Sequence, residues 1–370
     1  MNTKVMYRFF LFCLTLCVSV CVTACGENHQ EQKGVEISNK STAEPDTVPN
    51  IPNPFPIVHY EKKKIKNAAE LAKIRSLYGK TKETWDGYRA ITTINRKDIH
   101  YFRVGDTIII PDTVDKDTRI YSCFPHYYHG ARKLDKIIIV SNKLQAYACY
   151  EKGHLVRFAA ANTGTQRKPT FPGRYALNWK QRVRKSSLNE QWVLPYTWNF
   201  HAWAGSAFHQ FDMPGRPVSH SCVRQFMEDA EWLFKWGKGG KQDSNRRWVM
   251  FVGTPVIILD MFDYKRKFGG PWREILTNRD GILQLPEKPM EVEEALIPLS
   301  QIPRDVRGSL VNRKRYLTAE DTLRARGIID STVTLRESID YNKLRKLKEK
   351  KKLQEQLQKN SSNSGNIPTQ

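Results

Sequence analysis

Between residues 134 and 262, short apolar runs alternate with turn-forming residues, and this pattern constrains the fold more than any other feature of the chain. Ile137-Ile138-Ile139-Val140 and the run from Leu144 to Tyr150 have the length and the β-branched or aromatic character of strands, separated by Ser141-Asn142-Lys143. Gly153 closes a hairpin before a further run from Leu155 to Ala161. Asn162-Thr163-Gly164 and Pro172-Gly173 mark turns. Trp248 to Val252 and Val256 to Leu259 are strand-like, with Gly253-Thr254-Pro255 between them. Phe226 to Trp236 carries a helical stripe of Phe226, Ala230, Leu233 and Phe234 and stops at Gly237. The pattern predicts a mainly β domain over 134–262 with one or two helices.

The chain has 370 residues, which is long for one domain, and the flanking segments differ in character. In 60–113, Ala68, Leu71, Ile74 and Leu77 share a helical face with Gly79 as the stop, and a second helix is expected over about Thr84 to Ile94. Arg103-Val104-Gly105-Asp106-Thr107-Ile108-Ile109-Ile110-Pro111 then gives a turn and a short strand. Residues 263–340 form a mixed, partly helical extension, in which Thr318-Ala319-Glu320-Asp321 has the pattern of a capping box opening a helix that stops at Gly327. Residues 341–370 comprise a basic helix bearing Leu344, Leu347, Leu353 and Leu357, then a Ser- and Asn-rich tail from Asn360 expected to be disordered.

The N-terminus sets the expected compartment. Lys4 and Arg8 precede an apolar run, Phe9 to Val22, that is short for a membrane span but suits a signal-peptide core. Val22-Thr23-Ala24-Cys25-Gly26 resembles a lipobox, which implies removal of 1–24 and lipidation of Cys25, followed by a flexible tether over 25–59. The expected location is the cell envelope, membrane-anchored and facing the periplasm. The net charge of +22 favours polyanions, and export excludes nucleic acid as the partner.

The segment with the most chemistry is Phe208-His209-Gln210-Phe211-Asp212-Met213-Pro214-Gly215-Arg216-Pro217-Val218-Ser219-His220-Ser221-Cys222-Val223-Arg224. A thiol at neutral pH is only slightly ionised, and a nearby imidazole can take its proton. Acyl transfer also needs donors for a developing oxyanion, which backbone amides around Ser221 and Cys222 can supply. Arg224 is a fixed cation able to fork onto a carboxylate.

Ser-His-x-Cys-Val-Arg, with His209 ten residues before Ser219 and Pro-Gly-x-Pro between, resembles the YkuD-type L,D-transpeptidase domain, which implies a β-sandwich or closed sheet with a small helical element. Leu194-Pro195-Tyr196, Pro169-Thr170-Phe171-Pro172-Gly173-Arg174-Tyr175 and Gly253-Thr254-Pro255-Val256 are similar to three further landmarks of that family, in the same order. The resemblance implies Cys222 as nucleophile, His209 as general base oriented by the carbonyl of Gln210, and His220 with the Ser221 and Cys222 amides around the oxyanion. Arg224 would bind a stem-peptide carboxylate, with Tyr196 in the substrate pocket. The implied reaction is attack on the stem-peptide carbonyl at the diamino acid, loss of D-Ala, and transfer to an amine to give a 3–3 cross-link. Water as acceptor would make the protein an L,D-carboxypeptidase instead. Peptidoglycan stem peptides and glycan would be the partners, the membrane being reached through the lipid anchor. The helix, helix and terminal strand of 60–113 are similar to a LysM glycan-binding module, although its opening strand is not evident.

Ser221 departs from the family, which has Gly at that position. If the turn needs a positive φ, a Cβ there costs on the order of 1 kcal/mol, and an impaired, non-catalytic peptidoglycan-binding lipoprotein is the competing reading. His201, 18 residues before Ser219, is a second candidate base. No His/Cys spacing suggests a metal, and no cofactor is expected. Of the seven cysteines, Cys13, Cys17 and Cys21 leave with the signal, so Cys123, Cys149 and Cys222 remain beside the lipidated Cys25. Cys123 and Cys149, both set among aromatics in an exported protein, are expected to pair, the alternative being two buried free thiols.

Overall fold

The computed structural model describes residues 51–186, 188–245, 248–266, 269–339 and 341–364. The signal run, Cys25, the tether up to residue 50 and the last six residues lie outside the described residues. The described residues all fall in one compact unit.

The first elements are β1 (Tyr60–Lys64), α1 (Ala68–Leu77), α2 (Trp85–Asn95) and β2 (Thr107–Pro111), with β1 antiparallel to β2. β1 is the opening strand that its sequence, Tyr-Glu-Lys-Lys-Lys, conceals: it is mostly exposed and has no alternation. It is held instead by its ladder to β2 and by fully buried Val58 and Ile65 at its two ends. Asn67 caps α1 through the Glu70 amide at 2.9 Å, and the Glu70 carboxylate returns to the Lys66 amide at 2.7 Å. Of the expected face, Ile74 is buried but Leu77 is 54% exposed, and Tyr78 rather than Gly79 takes the C-cap.

From Tyr88 to Asn95, α2 is buried on every side. One side packs with Phe102 and Ile108, while Ala90 and Ile94 join Ile137, Ile139 and Ala148 in a second core. The region 60–113 therefore shares a core with the β domain.

The β domain has two sheets. The five-stranded sheet has the order β5-β4-β3-β13-β6, from β3 (Ile137–Ser141), β4 (Ala146–Glu151), β5 (His154–Ala160), β6 (Gly173–Ala176) and β13 (Pro255–Ile258). Every residue of β3 is buried, as an apolar run covered on both faces requires. The four-stranded sheet has the order β10-β9-β8-β7, from β7 (Lys180–Lys185), β8 (Val193–His201), β9 (Ser206–Gln210) and β10 (Val223–Gln225), β10 lying parallel to β9. Ile138, Val140, Tyr147 and Cys149 from the first sheet pack with Trp198, Phe200, Phe208 and Val223 from the second. Helix α3 (Met227–Trp236) adds Leu233 to this core and ends at Gly237 as expected. A minor ribbon pairs β11 (Lys241–Gln242) with β12 (Trp248–Val249). The mainly β architecture is thus present.

The extension wraps back over this sandwich. Helix α4 (Arg313–Ala325) buries Tyr316, Ala319 and Leu323 in the inter-sheet core. It begins five residues before the expected capping box, so Thr318 lies inside the helix and donates its hydroxyl to the Lys314 carbonyl at 3.2 Å. Helix α5 (Tyr341–Ser364) continues past Asn360, into the stretch expected to be disordered.

The expected disulfide is absent: Cys123 and Cys149 are both free and buried. The reason is the pleat of β4. Tyr147 and Cys149 face the inter-sheet core, whereas Ala146, Ala148 and Tyr150 face the second core, where Cys123 lies near the Arg96 guanidinium (3.7 Å). The sheet itself separates the two thiols.

Candidate active site

The site forms where β10 joins β9. Phe208 and Val223 are partners across this parallel pair and both point into the core. Alternation then turns their neighbours outward, so His209, Cys222 and Arg224 share the opposite face. All three line a cavity of 790 Å³.

The turn leading to Cys222 is pinned from the neighbouring strand end. Asn162 and Arg224 exchange both backbone hydrogen bonds at 3.0 Å, and the Val218 and Ser219 amides donate to the Thr163 carbonyl. The Asn162 side chain donates to the Arg96 carbonyl and accepts from the Gly215 amide. Gly215 has φ +81°, and a Cβ there would come within 2.8 Å of Lys97, so the glycine of the motif is a steric requirement. The Ser219 hydroxyl donates to the Cys222 carbonyl.

Ser221 adopts φ +81°, the left-handed conformation that favours glycine. Two contacts hold it there. Its hydroxyl shares a 2.7 Å hydrogen bond with that of Ser206 on β9, and its carbonyl accepts from the Thr170 hydroxyl at 3.1 Å. The glycine-type turn is kept, and the extra side chain has a partner.

His209 is buried, and its Nδ1 lies 2.9 Å from the Gln210 carbonyl oxygen. A carbonyl only accepts, so Nδ1 carries the hydrogen and neutral His209 keeps the Nε2 lone pair. Burial lowers the His209 pKa to about 4, which the Gln210 carbonyl opposes and Arg224 reinforces. Burial pushes the Cys222 thiol up, against the Ala207 amide and the guanidinium groups of Arg224 and Arg184. His220 lies against Trp192, with ring centroids 5.3 Å apart, and is lowered to about 4 by burial and by the charges of Lys168, Arg336 and Arg224. Arg224 stacks on Phe211 at 4.5 Å and donates to the Asp212 carbonyl at 3.2 Å.

The arrangement offers a thiol, a neutral imidazole with its free nitrogen set by a carbonyl, and a guanidinium anchor, all in one cavity. Such a set suits acyl transfer through a thioester. His201 is buried elsewhere, accepting from the Ala204 amide at 3.0 Å and lying edge-on to Tyr175 and Tyr316, and it does not line the cavity. Tyr196 does not line it either: its ring lies against Phe234 of α3, and its φ of +51° turns it away from the usual strand geometry. Among the described residues, no group of three or more His, Cys, Asp or Glu could hold a metal ion.

Several residues of the site were not legible in sequence. Ser206, Thr170 and Asn162 act only by packing or bonding to the turn. Arg184 and Trp179, from and just before β7, line the same cavity as Cys222, from a strand of mostly charged residues that carries no motif. Part of the lining comes from outside the β domain: Pro303 to Val306, Glu337 to Ile339, and Lys343, Leu344 and Leu347.

Residues 135–258 match the model of the YkuD L,D-transpeptidase catalytic domain. No curated protein matches the chain. Among solved structures, the chain is similar to an L,D-transpeptidase from Stackebrandtia nassauensis, with 21% identity, covering 35% of this chain and 58% of that one, at a TM-score of 0.29. It is similar also to an L,D-transpeptidase from Mycobacterium smegmatis, with 16% identity, covering 34% and 58%, at a TM-score of 0.28. A third is Mycobacterium tuberculosis L,D-transpeptidase 1, with 21% identity, covering 34% and 61%, at 0.26. The chain thus spans less than two thirds of the length of each of these proteins.

Proposed function

From a chain whose residues 135–258 are a YkuD-type L,D-transpeptidase catalytic domain, we propose that it remodels peptidoglycan with Cys222 as nucleophile. The observation that carries this reading is the common cavity of Cys222, His209 and Arg224, with the His209 tautomer fixed by Gln210. His209 Nε2 takes the thiol proton as sulfur attacks the carbonyl of the diamino acid in a stem peptide. The Ser221 and Cys222 amides, with His220, stabilise the oxyanion, and Arg224 binds a stem carboxylate. D-Ala leaves with a proton returned by His209, and an amine of a second stem resolves the thioester to a 3–3 cross-link. A low His209 pKa fits this order, because the imidazole begins as base and becomes cationic only when a thiolate or oxyanion is beside it.

The protein is proposed to work at the cell envelope, tethered through lipidated Cys25 and facing the periplasm. Residues 60–113 are proposed as a LysM-like glycan-binding module, supported by the strand-helix-helix-strand order with its two strands paired. The test of the reaction is exposure of the mature protein to a carbapenem, followed by intact mass and peptide mapping. The expected result is a single adduct on Cys222, together with 3–3 dimers formed from tetrapeptide muropeptides. Tripeptide product without dimers would assign water as the acceptor. No adduct and no conversion of muropeptides would reject the enzymatic reading.

A further inference from the structure

The cavity holds two guanidinium groups of the same construction. Arg224 is stacked on Phe211 at 4.5 Å, and Arg184 is stacked on Trp179, also at 4.5 Å. Both line the cavity, and the charge of each bears on Cys222. Arg184 sits on β7, paired with Leu194 of β8, and donates to the Gln181 side chain at 3.3 Å. Burial lowers its pKa, and the Cys222 thiolate opposes that shift. Among the described residues, no carboxylate forms an ion pair with Arg184 or Arg224, although the chain offers pairs to Arg304, which lines the same cavity, and to Arg307 and Arg345. A half-buried guanidinium held over an indole, without a counter-ion among the described residues, in one cavity with a thiol, is arranged to receive an anion from outside the chain.

The geometry points to Arg184 as a second carboxylate-binding residue, selecting acyl donors that carry an anionic group in addition to the one held by Arg224. The identity of the donor rests on the transpeptidase reading above. In a stem peptide the additional anion is the free carboxylate of a diamino dicarboxylic acid at the scissile residue. A donor in which that group is amidated leaves Arg184 desolvated and unpaired, and is disfavoured for that reason.

The test compares two tetrapeptide donors that differ only in whether this carboxylate is free or amidated. The wild-type protein is expected to favour the free acid about tenfold in kcat/KM, since a charge-assisted hydrogen bond is of that order. Arg184→Gln is expected to shrink the preference at least fivefold, chiefly through KM, and Arg184→Lys to keep part of it. A preference unchanged in Arg184→Gln, or an equal loss on both donors, overturns the assignment. An independent arm uses no donor. The ratio of Cys222 alkylation by iodoacetate to that by iodoacetamide, followed by peptide mass, cancels the thiol pKa and reports cations beside the sulfur. Arg184→Gln is expected to lower this ratio severalfold. If the wild type consumes neither donor, the transpeptidase reading fails, and the alkylation ratio alone decides whether Arg184 receives anions: an unchanged ratio rejects it.

Discussion

The cavity above Cys222 has two walls of different make. The inner wall is sheet: β9 and β10 are paired with each other, β9 with β8, and the turn before β10 is bonded strand by strand to residues 162–165. The outer wall comprises short turns around 303–306 and 337–339 and the first turns of α5, whose Leu344 and Leu347 are 43% and 55% exposed. Helix α5 is joined to the loop before β8 through Arg345, which bonds Asn189 at 3.2 Å and pairs with Glu190. The proposed chemistry sits where the backbone is over-determined, and the opposite wall is held by a few polar contacts at the start of a helix. Groups that must keep an exact geometry are placed on rigid elements, and low local stability is left to the parts that must admit substrate.

Loss of the nucleophile is the largest expected effect on the inner wall. Cys222→Ala should abolish both the carbapenem adduct and 3–3 dimer formation while leaving the thermal midpoint within a few degrees of wild type. Activity surviving this change would place the chemistry elsewhere.

Next is the base. His209→Gln should slow acylation by about 10²- to 10⁴-fold, and His201→Gln much less, because His201 does not line the cavity. The pH profile carries a sign. The thiol is held above its ordinary range, so the thiolate fraction keeps rising toward the alkaline side. His209 is lowered to about 4, so it is neutral and competent above roughly pH 5. Iodoacetamide alkylation of Cys222 in the free protein should therefore rise monotonically from about pH 5 to about pH 9, without an acid-side step near the ordinary imidazole value of about 6.5. A step at that value would mean that His209 is more hydrated than its burial indicates.

The same two walls explain what the sequence made legible. Ile137 to Val140, the run ending at Tyr150 and the helix ending at Gly237 carry their periodicity locally, so their elements are where the pattern puts them. The motif from His209 to Arg224 is legible because its chemistry lies on two paired strands and the one segment that joins them. β1 and β7 are charged strands whose pairing is dictated by neighbours far along the chain, and β8 contains Pro195, which argues against a strand. Cys123 and Cys149 failed to pair because a single residue of pleat decides the face of a strand, and composition does not encode it. The outer wall was illegible altogether: no local pattern in 303–347 indicates that it lines one cavity with Cys222.

A chain ending at Ser338 tests the outer wall directly. It removes Ile339, Lys343, Leu344 and Leu347 from the cavity lining. The partly exposed Arg345–Glu190 pair contributes no more than about 1 kcal/mol, so acylation by a bulky carbapenem should rise only a few-fold. Alkylation by small iodoacetamide should be nearly unchanged. Equal acceleration of both reagents would mean that α5 restrains the inner wall itself rather than access to it.

The smallest effect concerns the residue where the inner wall departs from its family. Ser221 at φ +81° carries a conformational cost of about 1 kcal/mol relative to Gly. Its hydroxyl bond to Ser206 contributes a similar amount, about 1 kcal/mol. Ser221→Gly removes both terms, so its unfolding free energy should stay within about 0.5 kcal/mol of wild type, the usual size of a near-neutral change. Ser206→Ala removes the bond and keeps the strain, and should destabilise by about 1 kcal/mol. In the Ser206→Ala background, Ser221→Gly relieves the strain with no bond left to lose, and should restore about that amount. Denaturant midpoints of the four proteins measure the cycle. If Ser221→Gly has the same effect with and without the Ser206 hydroxyl, the pair is energetically idle, and the turn tolerates a Cβ for a reason other than this bond.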